Sequence, residues 1–279
     1  MKISIVTISL NQARFLEKAI RSVIDQGFSD LEYIVVDPGS TDGSRGIIES
    51  YRDHIDHIVL EPDNGPGEGL NHGFARASGE IFAFLNADDF LLPGALQSVA
   101  AKFRRYPNAD VITAHGWLVD MNGNAIRIKR SNRFGAWRYL YRGAHLLQQS
   151  TFFRAEAFRK AGGFNEDNRT CWDGELWLDM ALAGCRFQLV HEYFSCFRTY
   201  DQSISGQIAK DTKSWRAYEW DRNRMFRRAT GRDPVGLGYR CRWGMAQLLK
   251  WSTHPVALQT SLWSLLRSQS RRNSSPARL

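Results

Sequence analysis

Three groups of acidic residues sit where a chain could do chemistry: Asp37, the adjacent pair Asp88 and Asp89, and Asp173 with Glu175. Each has an ordinary explanation, since an aspartate after a strand is commonly a turn former or a helix cap. The Asp88-Asp89 pair asks for more. Neighbouring carboxylates repel each other, so the pair costs free energy unless a cation or a hydrogen-bond donor offsets it. Hard oxygen ligands with open positions suit Mg²⁺ or Mn²⁺ carrying a phosphate. Asp88 and Asp89 are therefore candidate metal ligands. On the residues alone, the segment 172–183 reads as an ordinary amphipathic helix capped by Asp173.

The elements that must position these groups are readable in the periodicity. Ile3 to Ser9 is an apolar, β-branched run, and Phe15, Leu16, Ala19, Ile20, Val23 and Ile24 follow at helical spacing. Tyr33 to Val36 is a second strand pattern, closed by the turn residues after Asp37 and followed by a helix over Arg45 to Tyr51. Ile58 to Leu60 and Ile81 to Leu85 are further strands, with a helix over Gly69 to Ala77 between them. Strands alternating with helices predict an α/β fold with a parallel sheet, in which ligands bind beyond the carboxyl ends of the strands. Asp37 and the Asp88-Asp89 pair stand at two such ends. Beyond Pro93 the spacing predicts a helix to Arg105, then strands and loops from Asp110 to Phe153 with a hairpin turn at Met121-Asn122-Gly123-Asn124. Short helices over 155–162 and 174–183 and a strand over Val190 to Tyr200 complete the pattern.

Composition bounds the class. With 279 residues, 43% of them hydrophobic, the chain sits in the range for one large domain or two small ones and can bury a real core. No run approaches the ~18 apolar residues that span a bilayer, Met1-Lys2-Ile3 enters a strand pattern rather than a leader, and the four cysteines have no metal or disulfide spacing. The expectation is a cytoplasmic protein. The net charge of +8 is unevenly placed: residues 206–279 carry 15 Lys/Arg against four Asp/Glu, while the preceding part is slightly acidic. On charge alone such a tail suits nucleic acid or an anionic membrane surface equally well.

The motifs then form a series. Ile5-Val6-Thr7 through Asn11, Ser22 and Gln26, and the run from Tyr33 to Ser44 are followed by Glu61-Pro62-Asp63-Asn64-Gly65, Leu70-Asn71-His72-Gly73 and Ala77-Ser78-Gly79-Glu80. Phe84-Leu85-Asn86-Ala87-Asp88-Asp89, Gln149 to Arg154, Gly162 to Glu166, Trp172 to Leu178 and Phe197-Arg198 come next. In this order, over residues 1–205, the chain resembles the family 2 glycosyltransferases, which have the GT-A fold. The resemblance implies an inverting enzyme that moves one sugar from a nucleotide-diphosphate sugar, UDP-linked above all, to a glycan or polyprenyl-linked glycan acceptor in bacterial surface polysaccharide assembly.

On that resemblance, Asp88 closes the family's DxD motif and holds Mn²⁺ or Mg²⁺, with Asp89 as a helper. Asp37 meets the nucleotide base, with Thr7 and Asn11 lining the same pocket. Asn71 and Asn86 belong to the donor site. Asp173 matches the base that deprotonates the acceptor hydroxyl, with Trp172 and Glu175 nearby as acceptor contacts. Three positions depart from the family pattern: Asn86 stands first in the DxD-like motif, Leu70 stands where many relatives carry arginine, and Tyr200 stands where many carry histidine. No role is carried onto Tyr200.

Gly65, Gly67, Gly69 and Gly73 lack the order of a phosphate-cradling loop and read as a flexible donor loop. Trp117, Trp137 and Trp177 read as packing. Residues 206–279 read as basic helices, including Trp243 to Trp251 and Val256 to Leu266, with a low-complexity end from Ser268 to Arg278. They either pack on the core or lie peripherally on the anionic inner face of the plasma membrane. No nucleic-acid fold accompanies the charge. The rival reading is a catalytically weak nucleotide- or sugar-binding protein on the same fold.

Overall fold

A computed structural model describes residues 1–253; the expected Val256–Leu266 helix and the Ser268–Arg278 stretch lie outside the described residues. The strands join in one mixed sheet of order β3-β2-β1-β4-β8-β6-β9-β5, with β7 also paired to β6. Its first half is the parallel block that the alternation predicts. β1 (Ile3–Ile8) lies between β2 (Leu31–Val36) and β4 (Ile81–Asn86), and β3 (His57–Val59) flanks β2.

The second half departs from alternation and is largely antiparallel. β8 (Thr151–Arg154) runs against both β4 and β6 (Val111–Val119), and β7 (Ala125–Lys129) runs against β6. β9 (Phe187–Arg198) returns parallel to β6 and carries β5 (Phe90–Leu91) antiparallel at its edge. The β6–β7 hairpin turns at the expected place, with Asp120 N donating to Asn124 O at 2.9 Å and Gly123 at φ +89°.

Period-two alternation assigns the strand residues to two cores. Ile3, Ile5, Tyr33 and Val35 pack under α1 (Ala13–Ile24) and α4 (Ala95–Arg105), against Leu16, Ile20, Leu96 and Val99. Val6, Ile34, Val36 and Phe84 face the opposite way and pack with α3 (Pro66–Phe74), α6 (Ala155–Ala161) and α7 (Trp172–Leu182). Trp177, only 1% exposed, stacks on Phe84 with ring centroids 6.2 Å apart and meets Phe153 edge-on at 5.5 Å. Its packing role is as expected, and such a ring contributes about 1.5–3 kcal/mol by burial alone.

Two expectations about local structure are corrected. The glycines assigned to a flexible loop lie mostly inside α3, which begins at Pro66. A Cβ on Gly73 would come within 2.5 Å of Val6 Cγ1, so glycine there lets the helix rest directly on β1 and β2. α4 begins at Ala95, not Pro93, because Gly94 takes a left-handed φ of +76°.

The basic helices are part of the core. α8 (Ile204–Lys210), α9 (Thr212–Thr230) and α10 (Gly236–Thr253) follow the sheet, and Met225, Phe226 and Ala246 share a cluster with Tyr139, Tyr141 and Leu178. Arg142 grips Glu219 through two hydrogen bonds of 2.9 and 2.8 Å. Composition changes near residue 205, and side chains from both sides of that position share this cluster. Among the described residues no helix is long and apolar enough to cross a membrane.

Candidate functional site

Beyond the carboxyl ends of β1, β2 and β4 lies a cleft of about 500 Å³. Ser9 and Gln12 follow β1, Pro38 follows β2, and Asn86 and Asp88 come from the end of β4. Trp172 and Asp173 open α7, while Lys129 and Tyr200 complete the wall on the β6–β9 side. Asp88 and Asp173, 85 positions apart in the chain, face one cavity.

The cleft carries an unusual load of unsatisfied polar atoms. Ser9 Oγ, Asn86 Oδ1, Gln148 Oε1, Gln149 Oε1 and Trp172 Nε1 all belong to cleft-lining residues and are buried without hydrogen-bond partners. Each such atom costs about 1–3 kcal/mol of desolvation, so their concentration in one cavity marks it as a place where a polar ligand completes the bonding.

Asp37 is fully buried beneath Pro38. Its Oδ1 accepts from Gly39 N at 3.1 Å, Ser40 N at 2.8 Å and Arg45 Nε at 3.2 Å, while Oδ2 has no partner. The two oxygens differ: Oδ1 locks the loop after β2, Oδ2 is buried without a partner, and Asp37 itself is not among the residues that line the cleft.

Asp88 is half-buried, and Tyr200 donates to its Oδ2 at 3.0 Å. Burial raises the Asp88 pKa above the ordinary carboxylate range, against the lowering effect of the Tyr200 hydrogen bond and the Arg198 charge. The Tyr200 hydroxyl also lies 3.4 Å from Gln12 Oε1, and its ring packs on Phe15 at 5.2 Å. Burial and the Asp88 charge hold its phenol firmly protonated. The one sequence signal for Tyr200 is its place two residues after Arg198.

Asp173 is the second residue of α7, not its cap; the N-cap position is Cys171. Asn168 sets the helix start, its Oδ1 accepting from Thr170 N at 3.1 Å and Cys171 N at 2.9 Å. Gly174 lies hard against the Tyr139 hydroxyl, so a larger residue there would push the helix and Asp173 with it. Burial raises the Asp173 pKa, opposed by the Gly174 N–H, its own backbone N–H and the Arg222 charge. A carboxylate kept basic in this way is suited to proton abstraction.

Five expected site residues do other work. Asp89 is 1% exposed and lies behind the cleft, accepting from the Gln149 side-chain amide and from Arg198 N at 2.8 Å. Its two oxygens are engaged in holding β9 to the β4 end, and it does not line the cleft where it is expected to act as a metal ligand. Thr7 is fully buried and accepts from Tyr33 OH at 2.9 Å, because alternation turns its side chain into the sheet's core. Asn11, at φ +53°, ties the loops after β1 and β2 together through Thr41 N and Ser40 Oγ.

Asn71 clamps α3 to the 164–166 loop with three bonds of 2.9–3.0 Å, to Phe164 O, Phe164 N and Glu166 Oε1. Glu175, 1% exposed, is held by Asn165, Asn168 and Arg228 at 3.1, 2.7 and 3.1 Å. It fastens α9 to α7 and is not available to an acceptor. Arg198 has a similar building role, donating to Asp88 O, Asp120 O and Met121 O at 2.7–3.2 Å.

The model of the family described as "Glycosyl transferase family 2" matches residues 4–161. The chain belongs to this family. An uncharacterised glycosyltransferase of Nostoc is 38% identical over 138 residues, which is 48% of this chain and 42% of the relative. A Campylobacter jejuni protein named as a GalNAc(5)-diNAcBac-PP-undecaprenol β-1,3-glucosyltransferase is 37% identical over 105 residues, covering 36% of this chain and 34% of that one. The chain thus spans less than half of the length of either of these relatives.

Among solved structures, Staphylococcus aureus TarS in complex with UDP-GlcNAc matches with a TM-score of 0.62 and 18% identity over 88% of this chain and 79% of its own. The mannosyltransferase PcManGT of Pyrobaculum calidifontis, in complex with GDP-Man and Mn²⁺, matches with a TM-score of 0.60 and 16% identity over 99% and 76%. At these identities the likeness shows the architecture, which is the GT-A fold.

Proposed function

We propose that the protein is an inverting glycosyltransferase that moves one sugar from a nucleotide-diphosphate sugar, UDP-linked, to a hydroxyl of a glycan or polyprenyl-linked glycan. The observation that carries this reading is the convergence of Asp88 and Asp173 on one cleft whose lining holds unpartnered buried polar atoms. The partnerless Asp37 Oδ2 is an acceptor suited to a base with a ring N–H, as uracil has.

Sugar transfer builds negative charge on the departing diphosphate and positive charge at the anomeric carbon. The Asp88 carboxylate and the free Asn86 Oδ1 are hard oxygens that fit Mn²⁺ or Mg²⁺, with the diphosphate supplying further ligands. Among the described residues no group of three His, Cys, Asp or Glu could hold a metal alone. Such an ion supplies Lewis-acid neutralisation of the leaving group. Asp173 takes the acceptor proton as the hydroxyl oxygen attacks from the face opposite the diphosphate, so no covalent sugar-enzyme bond is needed. Trp172, beside it, offers a ring face and a free N–H to the acceptor.

Calorimetric titration with UDP and Mn²⁺ tests the donor half of this reading. Wild type is expected to bind UDP, and Asp37→Ala to weaken binding about 10-fold or more by removing both the base contact and the loop lock. Unchanged affinity in Asp37→Ala would remove Asp37 from the nucleotide site.

The same reading places the outer face of α10 on anionic lipid. Leu237, Met245 and Leu248 stand 79, 52 and 62% exposed on that helix, beside Arg240 and Arg242. An apolar stripe edged by arginine fits a headgroup layer. Replacing the three apolar residues with glutamate leaves the buried Ala246 side untouched and is expected to cut sedimentation with phosphatidylglycerol vesicles several-fold. Equal sedimentation of the two proteins would reject the membrane contact.

A further inference from the structure

We propose that Lys129 forms an anion subsite at the acceptor end of the cleft, recognising a phosphate group carried by the acceptor. This deepens, and rests on, the donor reading of the cleft.

Lys129 ends β7 and lines the cleft beside Phe197, whose ring centroid is 5.7 Å from Nζ. No carboxylate pairs with it among the described residues, and residues 254–279 contain no Asp or Glu. Its charged neighbours are the cations Arg127, on the same face of β7, and Lys250 of α10. Burial, reinforced by these two charges, lowers its pKa from the ordinary lysine value. A half-buried ammonium whose two interacting charges, Arg127 and Lys250, are both cations is costly to fold, and an incoming anion removes that cost.

A second observation points to a ligand in the same cleft. Trp172 is 7% exposed, lines the cavity and keeps its Nε1 donor without a partner. An ammonium and an unused N–H are both donors and suit an oxyanion or a hydroxyl.

Topology separates this subsite from the nucleotide end. Asp37 follows β2, and β1 and β4 stand between β2 and the β8–β6 side of the sheet, where β7 pairs. Asp88, at the end of β4, lies between them in strand order. With a nucleotide base at Asp37 and its diphosphate at Asp88, Lys129 faces what lies on the other side of the transferred sugar.

The test titrates the full chain, saturated with UDP and Mn²⁺, with three probes: farnesyl diphosphate, farnesol and glucose 1-phosphate. Farnesyl diphosphate is expected to bind at least about 10-fold more tightly than farnesol, and Lys129→Met to remove that advantage. Lys129→Arg should restore it, and UDP affinity should be the same in all three proteins. Binding of glucose 1-phosphate that depends on Lys129 in the same way would assign the subsite to glycan phosphates; dependence seen only with farnesyl diphosphate assigns it to lipid-linked ones. Wild-type affinity for both phosphates in Lys129→Met, or no phosphate preference in wild type, overturns the proposal. So does a loss confined to UDP, which would make Lys129 a donor contact. If UDP itself does not bind, the donor reading falls, while the phosphate probes without UDP still report on Lys129.

Discussion

Asp173→Asn is expected to lower the rate of sugar transfer by about 10²–10⁴-fold while leaving the affinity for UDP within about twofold of wild type. The split follows from placement: Asp173 opens α7 on the cleft wall with Trp172, whereas the nucleotide end proposed above is built from the loops after β1 and β2. Amide for carboxylate keeps the shape and removes the proton acceptor. Because burial raises the Asp173 pKa, wild-type kcat/KM is expected to fall as pH drops through a value above the ordinary aspartate value of about 4. That acid limb should vanish from the residual activity of Asp173→Asn.

The same shift predicts a stability effect of opposite sign. A carboxyl easier to protonate in the folded state penalises folding increasingly as pH rises above its unfolded-state pKa, in full above its folded pKa, and the penalty is relieved as pH falls back through that window. At neutral pH, Asp173→Asn should therefore melt no lower than wild type, and higher if the amide finds partners. A melting temperature well below wild type would make Asp173 a structural residue, and near-normal transfer would remove it as the base.

Asp88→Asn is the second large effect. Removing the one carboxylate that the Asp88-Asp89 pair presents to the cleft should abolish the gain in UDP affinity on adding Mn²⁺ and lower kcat/KM by about 10²–10³-fold. Asp89 will not compensate, because its carboxylate is engaged by Gln149 and Arg198 on the far side of the strand end. Undiminished Mn²⁺ dependence in the Asp88→Asn protein would place the metal on other ligands.

The parallel half of the fold and the ends carrying Asp37 and Asp88 were legible because strand and helix periods alternate cleanly up to Asn86. Past that point legibility fell. β5 is two residues long, and β8 and β9 are ordered by pairing partners far away in sequence, which periodicity does not report. Within the site, a motif locates a residue but not the direction of its side chain. Thr7 is one residue too early in β1 to face the cleft, and Asp89 one too late after β4. Asn71 and Glu175 carry polar groups that the tertiary structure claims for loop and helix docking. Tyr200 and Lys129 went unassigned for the converse reason: their surroundings, an aspartate for one and like charges for the other, exist only after β9 and β7 fold beside the cleft.

The most direct measurement is a crystal structure of the full chain with UDP and Mn²⁺. The account predicts the uracil ring N–H on Asp37 Oδ2, the diphosphate beside Asp88 and Asn86, and the Asp173 carboxylate facing the β-phosphate end across open space for a sugar. UDP bound anywhere else, or Asp173 on the same side as the leaving diphosphate, would contradict it.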